Sequence, residues 1–333
     1  MSDTLLRMKL FVAVYEEGSF TAAAARENAT QSGVTQHVRK LEDQHGVKLL
    51  IRGPTSVTST PAGDTYYRGC IEVLRAHELS RQAVRSFAAS MDGDVVVGLT
   101  PTMTRSALAP ALAAFMKSHP NVVIRVVDAY GDIVTEKVRK GELDFAVVPG
   151  FRQQTGIRGQ LFAQTPEFLL SGRQSGLALQ HLAPVKLSNL GALKMVLPSK
   201  LQVRRDAIEN YLASVGAVVS RRFEIDSSLA AYNFVAHTDW VSVQPGIAVL
   251  REIEEGLLVV NPLYAPTFSL DLYRIERARQ PLSAPAEAFL KVLHSETAKL
   301  QERAMGLLTS GRTKSQLMGQ SEASINVLDN PHQ

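Results

Sequence analysis

Between Thr30 and Gly46 the chain reads "TQSGVTQHVRKLEDQHG", and its side chains fall into two sets. Val34, Val38 and Leu41 recur at i, i+4 and i+7, one stripe of an α-helix. Gln31, Ser32, Thr35, Gln36 and Arg39 occupy the remaining face as amides, hydroxyls and a guanidinium. Glutamine can pair with the edge of adenine and arginine with guanine, while hydroxyls reach bases or phosphates. A helix held by so thin a stripe, with that chemistry outward, fits a DNA major groove; a solvated helix face is the plain alternative. Arg39, Lys40, Lys48 and Arg52 supply positive charge for the phosphate backbone.

Catalytic chemistry leaves no comparable pattern. GxSxG, GxGxxG and a GxxxxGK phosphate loop are all missing from the sequence. "HELSR" at 77–81 begins like the zinc motif HExxH, but Arg81 stands where the second histidine ligand belongs. The eight histidines show no other metal spacing. The expectation is a chain that is not an enzyme and carries no metal or cofactor.

The groove-facing helix needs supports, and its neighbours provide them. Leu6, Leu10, Phe11 and Val14 form an amphipathic first helix that stops at Gly18. Ser19 caps a second helix, "FTAAAARENA", whose alanines admit another helix closely, and Thr30 caps the third. Val47, Leu49 and Ile51 alternate as a strand, "GP" at 53–54 turns the chain, and "TSVTST" returns as a second strand. Two short helices, a tight turn, a third helix and a two-stranded wing describe a winged helix-turn-helix. Residues 61–90 then read as one long helix with Tyr67, Ile71, Leu74, Leu79, Ala83 and Phe87 along a rough stripe. The same stripe on a second copy is its simplest cover, and packing onto its own chain is the alternative. Cys70, on this helix, reads as a buried small residue rather than a reactive thiol.

Bulk composition agrees. With 333 residues, 45% hydrophobic and 20% charged, the chain has the makings of two or three globular domains. A formal net charge of +4 is compatible with a polyanionic partner. One cysteine excludes an intramolecular disulfide and any CxxC site. No run approaches the roughly twenty apolar residues of a membrane span. "LLRMKLFVAVY" meets Glu16 and Glu17 with no small-residue cleavage site, so it does not read as a secretory signal. The expected compartment is the cytoplasm, with no membrane partner.

The segment "LFVAVYEEGSFTAAAARENATQSGVTQHVRKLEDQHGVKLLIR", followed by "TPAG" at 60–63, resembles the winged helix-turn-helix of LysR-type transcriptional regulators. "GSFTAAA", Gln31, "VRKLE" and "GVKLLIR" are all in register. The resemblance implies that Gln31, Ser32, Thr35 and Gln36 face the groove, that Arg52 sits by the wing, and that the helix of 61–90 is a dimerising linker. With Thr30 and Arg39 these make the expected DNA-binding set. Two departures are visible: Ser32 and Gly33 stand where the family often has proline and alanine, and the wing carries hydroxyls where arginines are frequent.

From "GDVVVGLT" onward, strand and helix patterns alternate: "VVIRVVDA", "DIVTEKVRKG" capped by Asp132 and ended by Gly141, "LDFAVVPG", "EFLLSG", "LKMVLPS", "VRRDAIENYLASVG", "SRRFEID", "SSLAAYNFVAH", "WVSVQPG", "GLLVVNPL" and "FSLDLYRIER". Repeated βα units imply parallel sheets with helices on both faces. "GELDFAVVPG" at 141–150 is the best match to the family's effector domain, which has the two-lobed α/β fold of periplasmic binding proteins. The expected domains are a winged helix-turn-helix over 1–60, a linker helix over 61–90 and an effector-binding domain over 91–303. Its lobe I would take 91–163 and 267–303, its lobe II 164–266, with crossings near Phe162–Pro166 and Leu263–Pro266. The polar tail of 304–333 is expected to be disordered. "HTDWVSVQP" at 237–245 is bulky where the family has a glycine-rich turn.

Ligands of open α/β sheets bind beyond the carboxyl ends of strands, where helix N-termini offer free N–H groups. Thr100, Thr102, Phe151, Ser199 and Ser227 follow such ends and are the expected lining of an interlobe cleft, with ordinary helix capping as the alternative. Hydroxyls and helix dipoles favour an organic acid or other anion. The combined expectation is a ligand-responsive regulator that binds double-stranded promoter DNA as a homodimer or homotetramer, with RNA polymerase as a further candidate partner. The alternative is a solute-binding protein without a regulatory role.

Overall fold

The computed structural model describes residues 3–53, 56–85, 92–256 and 258–325. They divide into two compact units, one made of Met1–Asp92, Gln153–Arg158 and Glu276–Ala284, the other of the remaining chain.

In the first unit, α1 (Asp3–Glu17), α2 (Phe20–Arg26) and α3 (Gln31–His45) precede a hairpin of β1 (Leu50–Arg52) and β2 (Val57–Ser59), and α4 (Pro61–Arg85) follows. Both predicted caps form: Ser19 Oγ accepts from the Ala22 N–H at 3.3 Å, and Thr30 Oγ1 accepts from the Gly33 N–H at 3.2 Å. The wing pairs antiparallel, Leu50 opposite Ser59 and Arg52 opposite Val57. Its residues do not alternate as expected. Leu49 and Leu50 are both buried while Val47 and Ile51 are exposed, because the strand begins only at Leu50. Pro54 and Phe87 lie outside the described residues.

The long helix forms over Pro61–Arg85, the part of the expected span that is described, and is covered differently. Cys70 and Ile71 are buried against Leu10, Phe11 and Val14, and Tyr67 and Leu74 flank them. That side of α4 therefore completes its own domain's core and is not free for a second copy; Val73, Leu79 and Val84 are the large apolar residues it exposes. Burial holds the Cys70 thiol up at about 11, so it stays protonated.

The second unit contains β3 (Gly93–Leu99), α5 (Pro101–Arg105), α6 (Leu108–Ser118), β4 (Val122–Asp128), α7 (Gly131–Lys140) and β5 (Phe145–Pro149). It continues with β6 (Ile157–Ser171), β7 (Ala192–Leu197), α8 (Val203–Ser214), β8 (Val218–Glu224), α9 (Ser228–Ala236), β9 (Val241–Pro245) and α10 (Gly246–Glu255). It closes with β10 (Val259–Pro262), β11 (Ser269–Arg277) and α11 (Ala284–Ile325). The strands order as β4-β3-β5-β11-β6-β9-β7-β8, with β10 added on β6. β3 pairs in parallel with β4 and β5, as β7 does with β8 and β9, giving each lobe a parallel centre. The sheet is mixed rather than wholly parallel, since β6 runs antiparallel to both β9 and β10. β6 and β11 stand between the two parallel sets, where the chain passes from lobe to lobe.

Two local expectations are corrected, and a third feature is located. Tyr130, not Asp132, holds the cap position of α7, and no side chain caps that end. α11 runs to Ile325, so residues 304–325 are helical where a disordered tail was expected. Ala304 is fully buried and Leu307 packs on the core around Phe168 and Val249, which carries the helix on. Residues 326–333 lie outside the described ones. Finally, Trp240 clusters with Phe223 and Phe234 at ring separations of 5.6–6.0 Å, which is where the bulk of "HTDW" goes.

Candidate functional site

The first candidate surface is the outer face of α3. Val34, Val38 and Leu41 are buried, whereas Gln31, Ser32, Gln36, Arg39 and Lys40 are exposed and Thr35 is half-buried. Thr30 is exposed too, although its hydroxyl is engaged as the cap, with Ser32 Oγ 3.3 Å away. A Cβ on Gly33 would stand 3.0 Å from Thr30 Oγ1, a tight contact that the absence of a side chain relieves.

What sequence reasoning missed is how this helix is fixed to its wing. Glu42, 5% exposed, accepts from the N–H groups of Leu49 at 3.0 Å and Leu50 at 3.2 Å, and from Lys48 Nζ at 2.9 Å. Burial raises the Glu42 carboxyl, but these donors outweigh it and hold the group below its ordinary range. Lys48 is thereby paired within the protein. Arg52 is exposed with its guanidinium 4.5 Å over the Phe20 ring, which orients it beside the wing. Gly63 in α4 lies against the Leu49 carbonyl, where any Cβ would collide. The glycine of "TPAG" is thus a close-approach residue, and the motif's position was its only signal.

The second candidate is a cleft between the lobes of the second unit. Its main cavity, about 580 Å³, is lined from lobe I by Pro101, Thr104, Arg105, Asp128, Tyr130 and Ile133. Lobe II contributes Asp226, Ser227, Ser228 and Leu229. A narrow recess of about 40 Å³ continues it, sharing Pro101, Tyr130, Asp226 and Ser228 and adding Thr100, Thr102, Asp132, Leu201, Gln202 and Arg204. The volume suits a small organic molecule.

The structure thus brings Thr100, Thr102 and Ser227 to the cleft. Ser227 caps α9, its Oγ accepting from the Ala230 N–H at 3.3 Å. Thr100 stands at the cap position of α5 without capping it, and its Oγ1 is buried with no hydrogen-bond partner. Ser199 is not among the lining residues; its backbone N–H donates to Asp226 Oδ1 at 2.9 Å. Phe151 is turned elsewhere. Its ring lies over Gly159 and 6.1 Å from the Tyr273 ring, so the strand end it follows does not point it into the cavity.

Charges in the cleft were invisible to sequence reading because they come from separate segments. Asp128 accepts from Thr104 Oγ1 at 2.9 Å. Asp226 accepts from Gln202 Nε2 at 2.6 Å and, although burial raises its carboxyl, this bond and the Ser199 N–H hold it low. Tyr130 is pushed up by burial and by the nearby Asp226 and Asp128 carboxylates. Arg105 reaches from α5 to α10, donating from Nε to the Ala248 carbonyl at 3.2 Å and pairing with Glu252. Its guanidinium also sits 4.2 Å over the Tyr232 ring, so one side chain braces the two lobes. Arg204 is bound to the fully buried Glu167 at 2.8 and 2.9 Å.

Both parts of the chain match known protein families. Residues 5–64 match the family model described as bacterial regulatory helix-turn-helix protein, lysR family, and residues 88–298 match the LysR substrate binding domain. The nitrogen assimilation regulatory protein nac of Escherichia coli K12 is 28% identical over 87% of this chain and 93% of its own. An uncharacterized HTH-type transcriptional regulator, YfeR of Shigella flexneri, is 26% identical over 89% of this chain and 95% of that protein. Full-length CbnR solved with its target DNA superposes with a TM-score of 0.51 at 22% identity, covering 88% of this chain and 99% of that one. These relatives are regulators, which removes the solute-binding alternative. Among the described residues no helix is long and apolar enough to cross a membrane.

Proposed function

The chain belongs to the LysR family of DNA-binding transcription regulators, and from that premise we propose that α3 reads promoter DNA while the interlobe cleft holds the effector that controls it. The observation that carries this reading is the exposed amide and hydroxyl face of α3, held rigidly to the wing by Glu42. Gln31, Ser32, Thr35 and Gln36 meet base edges, and Thr30, Arg39 and Arg52 meet the backbone. The effector acts by altering lobe closure across the Arg105 brace, which changes how paired subunits are held on DNA. The protein works in the cytoplasm without enzymatic activity, as a dimer that assembles into a tetramer, and contacts RNA polymerase at the promoter.

Ile71 and Leu74 face their own core, so the dimer contact falls on the side of α4 that exposes Val73, Leu79 and Val84. Val73→Glu with Val84→Glu should leave the fold intact and shift the sedimenting species to monomer; an unchanged oligomer would remove α4 from the contact. The reading as a whole is tested by selecting duplexes from a random library with the full-length protein. Enrichment of two half-sites in register with the DNA turn supports it, and recovery of no preferred sequence refutes it.

A further inference from the structure

The main cavity and its recess are lined by three carboxylates, Asp128, Asp132 and Asp226. Both arginines that reach them already hold a carboxylate: Arg105 pairs with Glu252 and Arg204 with Glu167. Two of the helix N-termini that face the cleft, those of α7 and α9, already have the protein's own acids beside them. Asp132 lies in the first turn of α7, and Asp226 stands immediately before the Ser227 cap of α9. A further carboxylate entering here would meet negative charge, and among the described lining residues both cations are already paired. This counts against the anionic ligand expected from hydroxyls and helix dipoles alone.

Two other features say that something is received. Thr100 is 4% exposed, lines the recess, and its Oγ1 has no partner, so a buried donor and acceptor waits for one. Ile133 and Leu229, at 50% and 61% exposure, face the main cavity from lobe I and lobe II, while Leu201 at 81% flanks the recess. Such side chains gain by covering an apolar body. Resting on the reading of this cleft as the effector site, we propose that its ligand is an organic amine: an ammonium group held by Asp128 and Asp226, with an apolar portion between Ile133 and Leu229. The ammonium donates to the two carboxylates from opposite lobes and so links them directly. A polar group on the same ligand would satisfy Thr100.

The test uses three probes of similar shape, 2-phenylethylamine, 2-phenylethanol and 3-phenylpropionate, titrated into the full-length protein by calorimetry and followed by thermal melting. The amine should bind and raise the melting temperature, with the alcohol at least tenfold weaker and the acid giving no heat. Asp128→Asn should weaken the amine at least tenfold while leaving the melting temperature of the unliganded protein nearly unchanged, since its carboxylate is exposed and bonded only to Thr104 among the described contacts. Tighter binding by the acid than by the amine overturns the charge assignment yet leaves a ligand-responsive cleft standing. Equal amine affinity in Asp128→Asn, or no amine binding at all, also overturns the proposal.

Discussion

The DNA-reading face and the interlobe cleft are built in opposite ways. α3 presents its functional side chains from fifteen consecutive residues, so helical periodicity alone sorts buried Val34, Val38 and Leu41 from the outward polar set. The cleft draws on four separated stretches, around Thr100, Asp128, Gln202 and Asp226, and its character depends on which charges are already paired. A contiguous site can be read from spacing. A convergent one depends on the fold, which here pairs both of its arginines with carboxylates of the protein.

The largest effect should come from the brace across the cleft. Arg105→Ala leaves Glu252, 6% exposed, without its cation, and removing one partner of a buried pair costs about 3–5 kcal/mol. Thermal melting should show loss of the effector unit while the isolated helix-turn-helix transition is unmoved. A small, uniform shift would mean that Arg105 is not what ties the lobes.

Glu42→Gln should be milder and confined to the other region. It removes the charge that accepts from two N–H groups and Lys48, costing about 1–2 kcal/mol in the DNA-binding unit. Because the folded carboxyl lies below its ordinary value, its stabilisation is fully present above the ordinary carboxylate range and fades as pH falls through the folded value. Melting of the parent protein should therefore drop more steeply on acidification toward pH 4 than that of Glu42→Gln. Parallel curves would contradict the role given to Glu42.

Thr100→Val gives the smallest shift and the most diagnostic sign. Replacing a buried, unpartnered hydroxyl by a methyl of the same shape should stabilise the effector unit by up to about 1 kcal/mol. A loss of stability would show that the hydroxyl serves the fold, as a cap does, and not the recess.

These contrasts also say why sequence reading stopped where it did. The helix-turn-helix, both its caps and the wing hairpin follow from local periodicity and capping chemistry, and the alternation of strands and helices shows two parallel centres. The covered side of α4 was misjudged because its stripe looks the same whether Phe11 or a second copy covers it. The helix beyond 303 was missed because the burial of Ala304 is a tertiary fact, and glycines at 306 and 311 weaken a helix without ending it. Phe151 followed a strand end correctly, yet the bare Cα of Gly159 gave its ring another place to lie.

The central claim, that the outward face of α3 reads base sequence, is tested most directly by one binding comparison. Gln36→Ala and Arg52→Ala are titrated against a selected duplex and a scrambled duplex of equal length over a range of salt. Gln36→Ala should lose about 1–3 kcal/mol on the selected duplex and almost nothing on the scrambled one, whereas Arg52→Ala should weaken both and flatten the salt dependence. Equal losses for Gln36→Ala on the two duplexes would contradict base readout by this helix.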